Sequence, residues 1–170
     1  MTPPDTAVPP GAELNRLDPA LRGFFIEELT VGQTAELSKT ITEADIILYA
    51  GISSDTNPIH LSEEFAKETL FGTRIAHGML SAGLISAVIG TKLPGPGCLY
   101  MGQSLKFMAP VKPGQTVRVK CTVKSIDLTK DRIVLETICT VVGEVVIEGE
   151  ALIKVPSRYI KLKDKDKRKA

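Results

Sequence analysis

The sequence predicts an α+β domain in which one curved antiparallel sheet wraps a single long central helix. Three observations carry that expectation. Residues 75–91 contain no Asp, Glu, Lys or Arg, although 24% of the chain is charged. Within this run Leu80, Leu84, Ile85 and Val88 recur at helical spacing, while Gly83, Ala87 and Gly90 form a second row of small residues. An ordinary surface helix would carry a charged face, so this one is expected to be enclosed by protein on nearly all sides. Beyond it, after Pro94-Gly95-Pro96-Gly97, four strand-like stretches follow one another, and a sheet built from them is the natural cover for the helix.

The elements follow in order. Residues 1–23 hold Pro3, Pro4, Pro9, Pro10 and Pro19 with little to bury, which reads as a flexible or extended arm. The patch Phe24-Phe25-Ile26 is positioned to lay that arm against a domain spanning residues 24–156. Val31-Gly32 reads as a turn. Gln33 to Ile41 alternates as a first strand, with Ala35, Leu37 and Ile41 as inward candidates. Thr42 precedes a helix with Asp45 three positions on, a capping-box arrangement. Gly51 is the expected end of that helix. Asn57-Pro58 restricts Asn57 to extended backbone and predicts a turn. Ser62 caps a short helix with acids in its first turn, Phe71-Gly72 breaks it, and Gly78 opens the uncharged helix. Strands are expected over 99–108, 116–128, 132–142 and 145–155. Val117, Val119, Cys121 and Val123 alternate with Arg118, Lys120, Thr122 and Lys124, the pattern of a half-buried antiparallel strand. Gly143-Glu144 reads as a tight hairpin turn.

Composition excludes several function classes. At 170 residues and a formal net charge of +1, the chain fits one domain and carries no overall bias toward nucleic acid or acidic membranes. Residues 157–170 form a basic tail that reads as a solvated terminus. No Trp and 5% aromatic residues leave little stacking surface for bases. Cys98, Cys121 and Cys139 lie in no metal-like spacing and read as reduced thiols of a cytoplasmic protein. With two histidines in the chain, a zinc site built from His and Cys is not expected. The N-terminus has no basic start followed by an apolar core, as a secretory signal would.

The polar cluster Asp55-Thr56-Asn57-Pro58-Ile59-His60, followed by Ala76-His77-Gly78-Met79 at the mouth of the uncharged helix and by Pro94-Gly95-Pro96-Gly97, resembles the hot-dog-fold MaoC-like family. Within that family it is most similar to the (R)-specific enoyl-CoA hydratases and related 3-hydroxyacyl-thioester dehydratases. The resemblance runs from about Gly32 to Val155. The family usually has Gly before the Asp; this chain has Ser54. The resemblance implies a hot-dog fold and reversible hydration of trans-2-enoyl thioesters to (R)-3-hydroxyacyl thioesters. It implies Asp55 as the main base and His60 as the group that orients the water and shares proton transfer. Both remain candidates for delivering the α-proton.

The Gly78 N–H is implied as the oxyanion donor, and a helix N-terminus suits that role physically. Asn57 and Ser86 are implied as supports of the acidic side chain, and Ile89 as the floor of the acyl pocket. No metal or redox cofactor is implied; coenzyme A or a carrier protein is the handle of the substrate, and a homodimer or higher homo-oligomer covers the exposed sheet edge.

Each residue also has a plainer reading. Asp55 and Asn57 beside Pro58 fit an Asx-type turn. His60 and His77 fit structural hydrogen-bonded histidines, Gly78 a packing glycine, and Ser86 a serine bonding back to its own helix. Their joint occurrence in order favours the catalytic reading. Other readings are a carrier-protein dehydratase, a hot-dog thioesterase and a non-catalytic acyl-thioester-binding module.

Overall fold

A computed structural model describes residue 18 and residues 21–159. Most of the expected N-terminal arm, and the basic tail beyond residue 159, lie outside the described residues. Five strands form one antiparallel sheet: β1 (Thr34–Thr40), β2 (Leu99–Phe107), β3 (Thr116–Asp127), β4 (Arg132–Val141) and β5 (Glu144–Lys154), in the order β1-β3-β4-β5-β2. Four helices lie between β1 and β2: α1 (Glu43–Ser53), α2 (Pro58–Leu61), α3 (Glu63–Lys67) and α4 (Gly78–Thr91). This is the expected hot-dog arrangement, with α4 packed against β3, β1 and β4.

The sheet is built by its alternation. In β3, Val117, Val119, Cys121 and Val123 are buried and the basic residues between them are not. The antiparallel partners in β4 and β5 supply Ile133, Leu135, Cys139, Ile147, Ala151 and Ile153 to the same concave face. Leu84, Ile85, Val88 and Ile89 of α4 complete this core. Burying a side chain of this size stabilises the fold by about 1.5–3 kcal/mol, so the helix and the sheet hold each other.

Two expectations about α4 divide here. Of the predicted apolar row, Leu84, Ile85 and Val88 are buried and Leu80 is half-buried, but the small-residue side is not enclosed. Met79, Gly83, Ser86 and Gly90 form an exposed row along the helix. One sheet has only one concave face, so a single chain covers only one side of its helix. The far edge is similarly open: in β2, Leu99, Tyr100, Met101 and Phe107 are 62%, 41%, 46% and 51% exposed.

Turn chemistry shows two further differences. Helix α1 begins as expected: Thr42 Oγ1 accepts from the Asp45 N–H, and the Asp45 carboxylate accepts from the Thr42 N–H at 2.8 Å. It does not end at Gly51. The helix runs on to Ser53 and stops at Ser54, which takes the left-handed conformation at φ 62. That is the position where the family usually has Gly, and left-handed backbone explains the preference. The β4–β5 hairpin turns on Val142 (φ 50) and Gly143 (φ 86), one residue earlier than Gly143-Glu144, because a two-residue turn with positive φ at both centres matches the strand twist.

At the start of the domain, Phe25 and Ile26 are buried, and the Gly23 and Phe24 amides donate to the carbonyls of Pro96 and Pro94. A Cβ on Gly23 would lie 2.4 Å from the Pro94 oxygen, so only glycine permits this approach.

Candidate active site

The polar cluster is folded by its own short-range bonds. Ser54 turns the chain out of α1, and the Asn57 N–H donates to Asp55 Oδ1 at 3.2 Å. The Asn57 side chain caps α2 by accepting from the Ile59 N–H at 3.2 Å. The Asx-type turn and the supporting role of Asn57 therefore coexist: its backbone holds the Asp55 carboxylate while its side chain starts the helix that carries His60. Where sequence pattern gave only a turn after Asn57, a four-residue helix forms, with Pro58 at its first position, where a missing N–H costs nothing.

The ring of His60 is fixed by one bond. Its Nδ1 lies 2.8 Å from the Ile75 carbonyl oxygen. A carbonyl only accepts, so Nδ1 carries the hydrogen and neutral His60 presents a bare lone pair at Nε2. The strand-like segment before α4 holds Ile75 in place through the Ala76 N–H, which donates to Val111 O at 2.7 Å. Arg74 ties the surrounding helices together, with bonds to Glu43 at 2.7 and 3.0 Å and an ion pair to Glu63 at 3.4 Å.

His77 sits at the N-terminal boundary of α4 and is 2% exposed. Its Nε2 donates to the backbone oxygen of Asp55 at 2.9 Å, by the same carbonyl argument. Its ring lies 3.9 Å from that of His60, and Tyr49 packs on it at 5.0 Å. Helix α4 has no side-chain cap. Its first amides therefore retain free donor character beside a partial positive charge.

These groups open onto one cavity of about 490 Å³ lined by Asp55, His60, His77, Gly78 and Ser81 together with an apolar wall. Phe107, Met108, Val111 and Ile147 make much of that wall. Asp55, His60 and His77 each offer a ligand-type atom, and these atoms lie within 4.8 Å of one another. Phe107 lies so close to Gly78 that a Cβ there would be 2.7 Å from its ring. Glycine leaves the amide open, whereas a larger residue would push the Phe107 ring aside.

Three of the implied residues, Asp55, His60 and Gly78, converge on the cavity, and Asn57 supports two of them. Ser86 and Ile89 are not brought to it. Ser86 lies on the exposed row of α4, and Ile89 is 1% exposed within the core. The serine that does line the cavity is Ser81, buried and with no partner for its Oγ. It lies one turn after Gly78, and helical spacing from Gly78 could have found it. Phe107 to Val111 left no local signal, because they reach the site through sheet pairing. No thiol competes as nucleophile: burial pushes Cys121 and Cys139 up to about 12 and raises Cys98, which keeps them protonated.

An apolar cavity headed by a carboxylate, an imidazole and uncapped helix amides, on a hot-dog sheet, is equipped to move protons beside a developing negative charge. The MaoC like domain matches residues 28–148, and the chain belongs to that family. It is 57% identical over 134 residues to an (R)-specific enoyl-CoA hydratase of Rhodospirillum rubrum, covering 79% of this chain and 93% of the relative. It is 52% identical to a 3-hydroxybutyryl-CoA dehydratase of Methylorubrum extorquens, covering 82% and 89%. Among solved structures, the (R)-hydratase of A. caviae involved in PHA biosynthesis superposes with a TM-score of 0.75 at 40% identity, over 76% of this chain and 99% of that one.

Proposed function

We propose that the protein reversibly hydrates trans-2-enoyl-CoA thioesters to (R)-3-hydroxyacyl-CoA. The observation that carries this reading is that Asp55 and His60, the latter with Nδ1 engaged by the Ile75 carbonyl, both line the cavity at the uncapped start of α4. In hydration, a water held between Asp55 and His60 loses a proton to the pair as its oxygen attacks the β-carbon. The electrons of the double bond move toward the thioester carbonyl, whose oxygen gains negative charge beside the Gly78 N–H. A proton returned to the α-carbon completes the addition. Proton handling by a placed pair contributes about 10²–10⁴-fold, and a backbone oxyanion donor about 10²–10³-fold. The apolar wall from Phe107 to Val111 takes the acyl chain, and no resident metal or redox group takes part.

A coenzyme A handle is favoured because the two relatives named above act, by name, on CoA thioesters, whereas relatives named for carrier-protein substrates are 32% identical. The working unit is a homodimer: the exposed small-residue row of α4 and both faces of edge strand β2 need a cover, and a second copy supplies a matching one. Its three unpaired cysteines suit the cytoplasm.

The test is the ultraviolet absorbance of crotonyl-CoA with purified protein, followed by chiral analysis. Loss of the conjugated-enoyl band without free thiol, giving the (R)-alcohol, is expected. Release of CoA thiol would mean a thioesterase instead. Silence on CoA and carrier-bound enoyl substrates alike would overturn the assignment. Light scattering of the eluted protein checks the dimer.

A further inference from the structure

We infer that His77 is the positioning residue of this site, a role that rests on the proposed hydratase reading: its ring aligns both Asp55 and His60 for proton handling. Asp55 stands on an exposed stretch between α1 and α2. Two of its hydrogen bonds are local. Its N–H donates to Ser53 Oγ at 3.2 Å, and its Oδ1 accepts from the Asn57 N–H at 3.2 Å. Bonds between residues two apart shape the turn, but they move with it. The bond that ties Asp55 to the start of α4 runs from His77 Nε2 to the Asp55 carbonyl oxygen, 2.9 Å long and spanning 22 positions of sequence.

His60 needs the same ring for a different reason. Its Nδ1 is held by the Ile75 carbonyl at 2.8 Å. A hydrogen bond to a carbonyl tolerates a broad range of angles, so the plane of the imidazole needs a second constraint. The face of His77 supplies it, with ring centroids 3.9 Å apart and planes inclined by 32°. His77 is in turn packed by Tyr49 of α1 at 5.0 Å and is 2% exposed.

One short segment thereby serves every part of the site. The Ile75 carbonyl holds His60, the His77 side chain holds Asp55, and Gly78 begins α4 with the amide assigned to the oxyanion. The Ala76 N–H, donating to Val111 O at 2.7 Å, anchors that segment to the domain. The residue type fits a task that needs a flat face and an N–H together. An amide side chain would keep the donor and lose the face; a phenyl ring would keep the face and lose the donor. The remaining ring nitrogen, Nδ1, is buried and takes no hydrogen bond from the described residues, so these two contacts are what the imidazole supplies.

The experiment separates them. His77→Gln keeps an N–H for the Asp55 carbonyl and removes the ring, and His77→Phe does the reverse. Misplacing a catalytic group by about 1 Å costs on the order of 10²-fold. Each variant should therefore lower kcat on crotonyl-CoA by about 10–10²-fold, with KM within about threefold of wild type. The Asp55→Asn background then tests the route of the effect. There His77→Phe should lower the residual rate by less than about threefold, because the group it positions no longer takes the proton. A merely structural role would give the same fold loss in both backgrounds, and that additivity overturns the inference. Wild-type turnover in either single variant overturns it too, since the role needs both contacts.

A measurement on the wild-type protein is independent of any variant's folding. The chain has two histidines, so nitrogen-15 labelling of histidine gives two sets of ring signals. Near about pH 8, where an imidazole is ordinarily neutral, one ring with its hydrogen on Nδ1 and one with it on Nε2 are expected. Two Nδ1 tautomers would leave the Asp55 carbonyl without its donor and overturn the inference. A wild-type protein inactive on every enoyl thioester overturns the hydratase reading and the positioning role with it; an active wild type with insensitive variants overturns the positioning role alone.

Discussion

Replacing Gly78 with Ala separates the catalytic and packing readings of this glycine. The new Cβ would stand 2.7 Å from Phe107 Cε1 and 2.9 Å from Cδ1. Carbon atoms are comfortable at about 3.5–4.0 Å, so the ring must retreat by roughly 1 Å. Phe107 is 51% exposed and can turn outward, so the strain is relieved at modest cost. Ala also suits a helix better than Gly by about 0.5–1 kcal/mol. The two effects oppose, and the net change in stability should stay within about 1 kcal/mol, a melting shift of about 2–4 °C for a chain of this size. Activity should respond quite differently. The methyl group and the displaced ring both crowd the path of a thioester oxygen to the amide, and loss of such a contact costs about 10²–10³-fold. We expect kcat to fall by about 10²-fold with a smaller change in KM, since the contact strengthens in the transition state. The assay is steady-state loss of crotonyl-CoA absorbance beside a thermal melt. The Gly78→Ala/Phe107→Ala variant removes the clash but not the methyl group, and should remain slow. A single variant that keeps the wild-type rate within a few-fold would refute the oxyanion role, and recovery in the double variant would assign the effect to the ring.

Asp55→Asn should reduce turnover by about 10²–10⁴-fold with an unchanged melt, because an amide oxygen still accepts from the Asn57 N–H. His60→Ala should be similarly slow but also less stable by about 1–3 kcal/mol, because the Ile75 carbonyl loses its donor; residual wild-type activity in either variant removes that residue from the mechanism. In Gly149→Ala a Cβ would lie 1.8 Å from the backbone oxygen of Ser104, so β2 must shift away from β5. A cost of about 3 kcal/mol is expected, read as a melting point lowered by about 6–12 °C, and an unchanged melt would contradict the β2–β5 geometry. For pH, hydrogen bonds from Arg22 hold the Glu28 carboxyl down at about 2, and those from Thr42 hold Asp45 down at about 2. Carboxyls depressed in the fold give stability that is full above their unfolded values and lost as pH falls toward about 2. Chemical denaturation between pH 5 and 2 should therefore show falling stability, and Glu28→Gln should make that fall shallower.

Elements governed by local rules were legible before the structure was. The alternation in Val117–Lys124, the Thr42–Asp45 capping box and the Ser62 cap each depend on neighbours a few residues away, and each appears as read. Asp55, His60 and Gly78 were legible through family resemblance, since spacing alone left the structural histidine and the Asx turn open. What local pattern did not carry was everything made by contact across the chain. Phe107 and Met108 reach the cavity through the pairing of β2 with β5. Ser54 rather than Gly51 ends α1, in a left-handed conformation that residue preference alone assigns to glycine. The exposed row of α4 escaped because an uncharged helix is equally consistent with burial by its own sheet and with burial by another chain.

The strand order has a consequence for how the protein is made. Edge strand β2, which carries Phe107 to the cavity, pairs with β5. On a ribosome the polar cluster and α4 emerge first, yet their cavity has no far wall until residues near 154 leave the exit tunnel. Nascent chains are thus barren until β5 has emerged, and until then the unpaired β2 stands as a sticky segment in need of shielding.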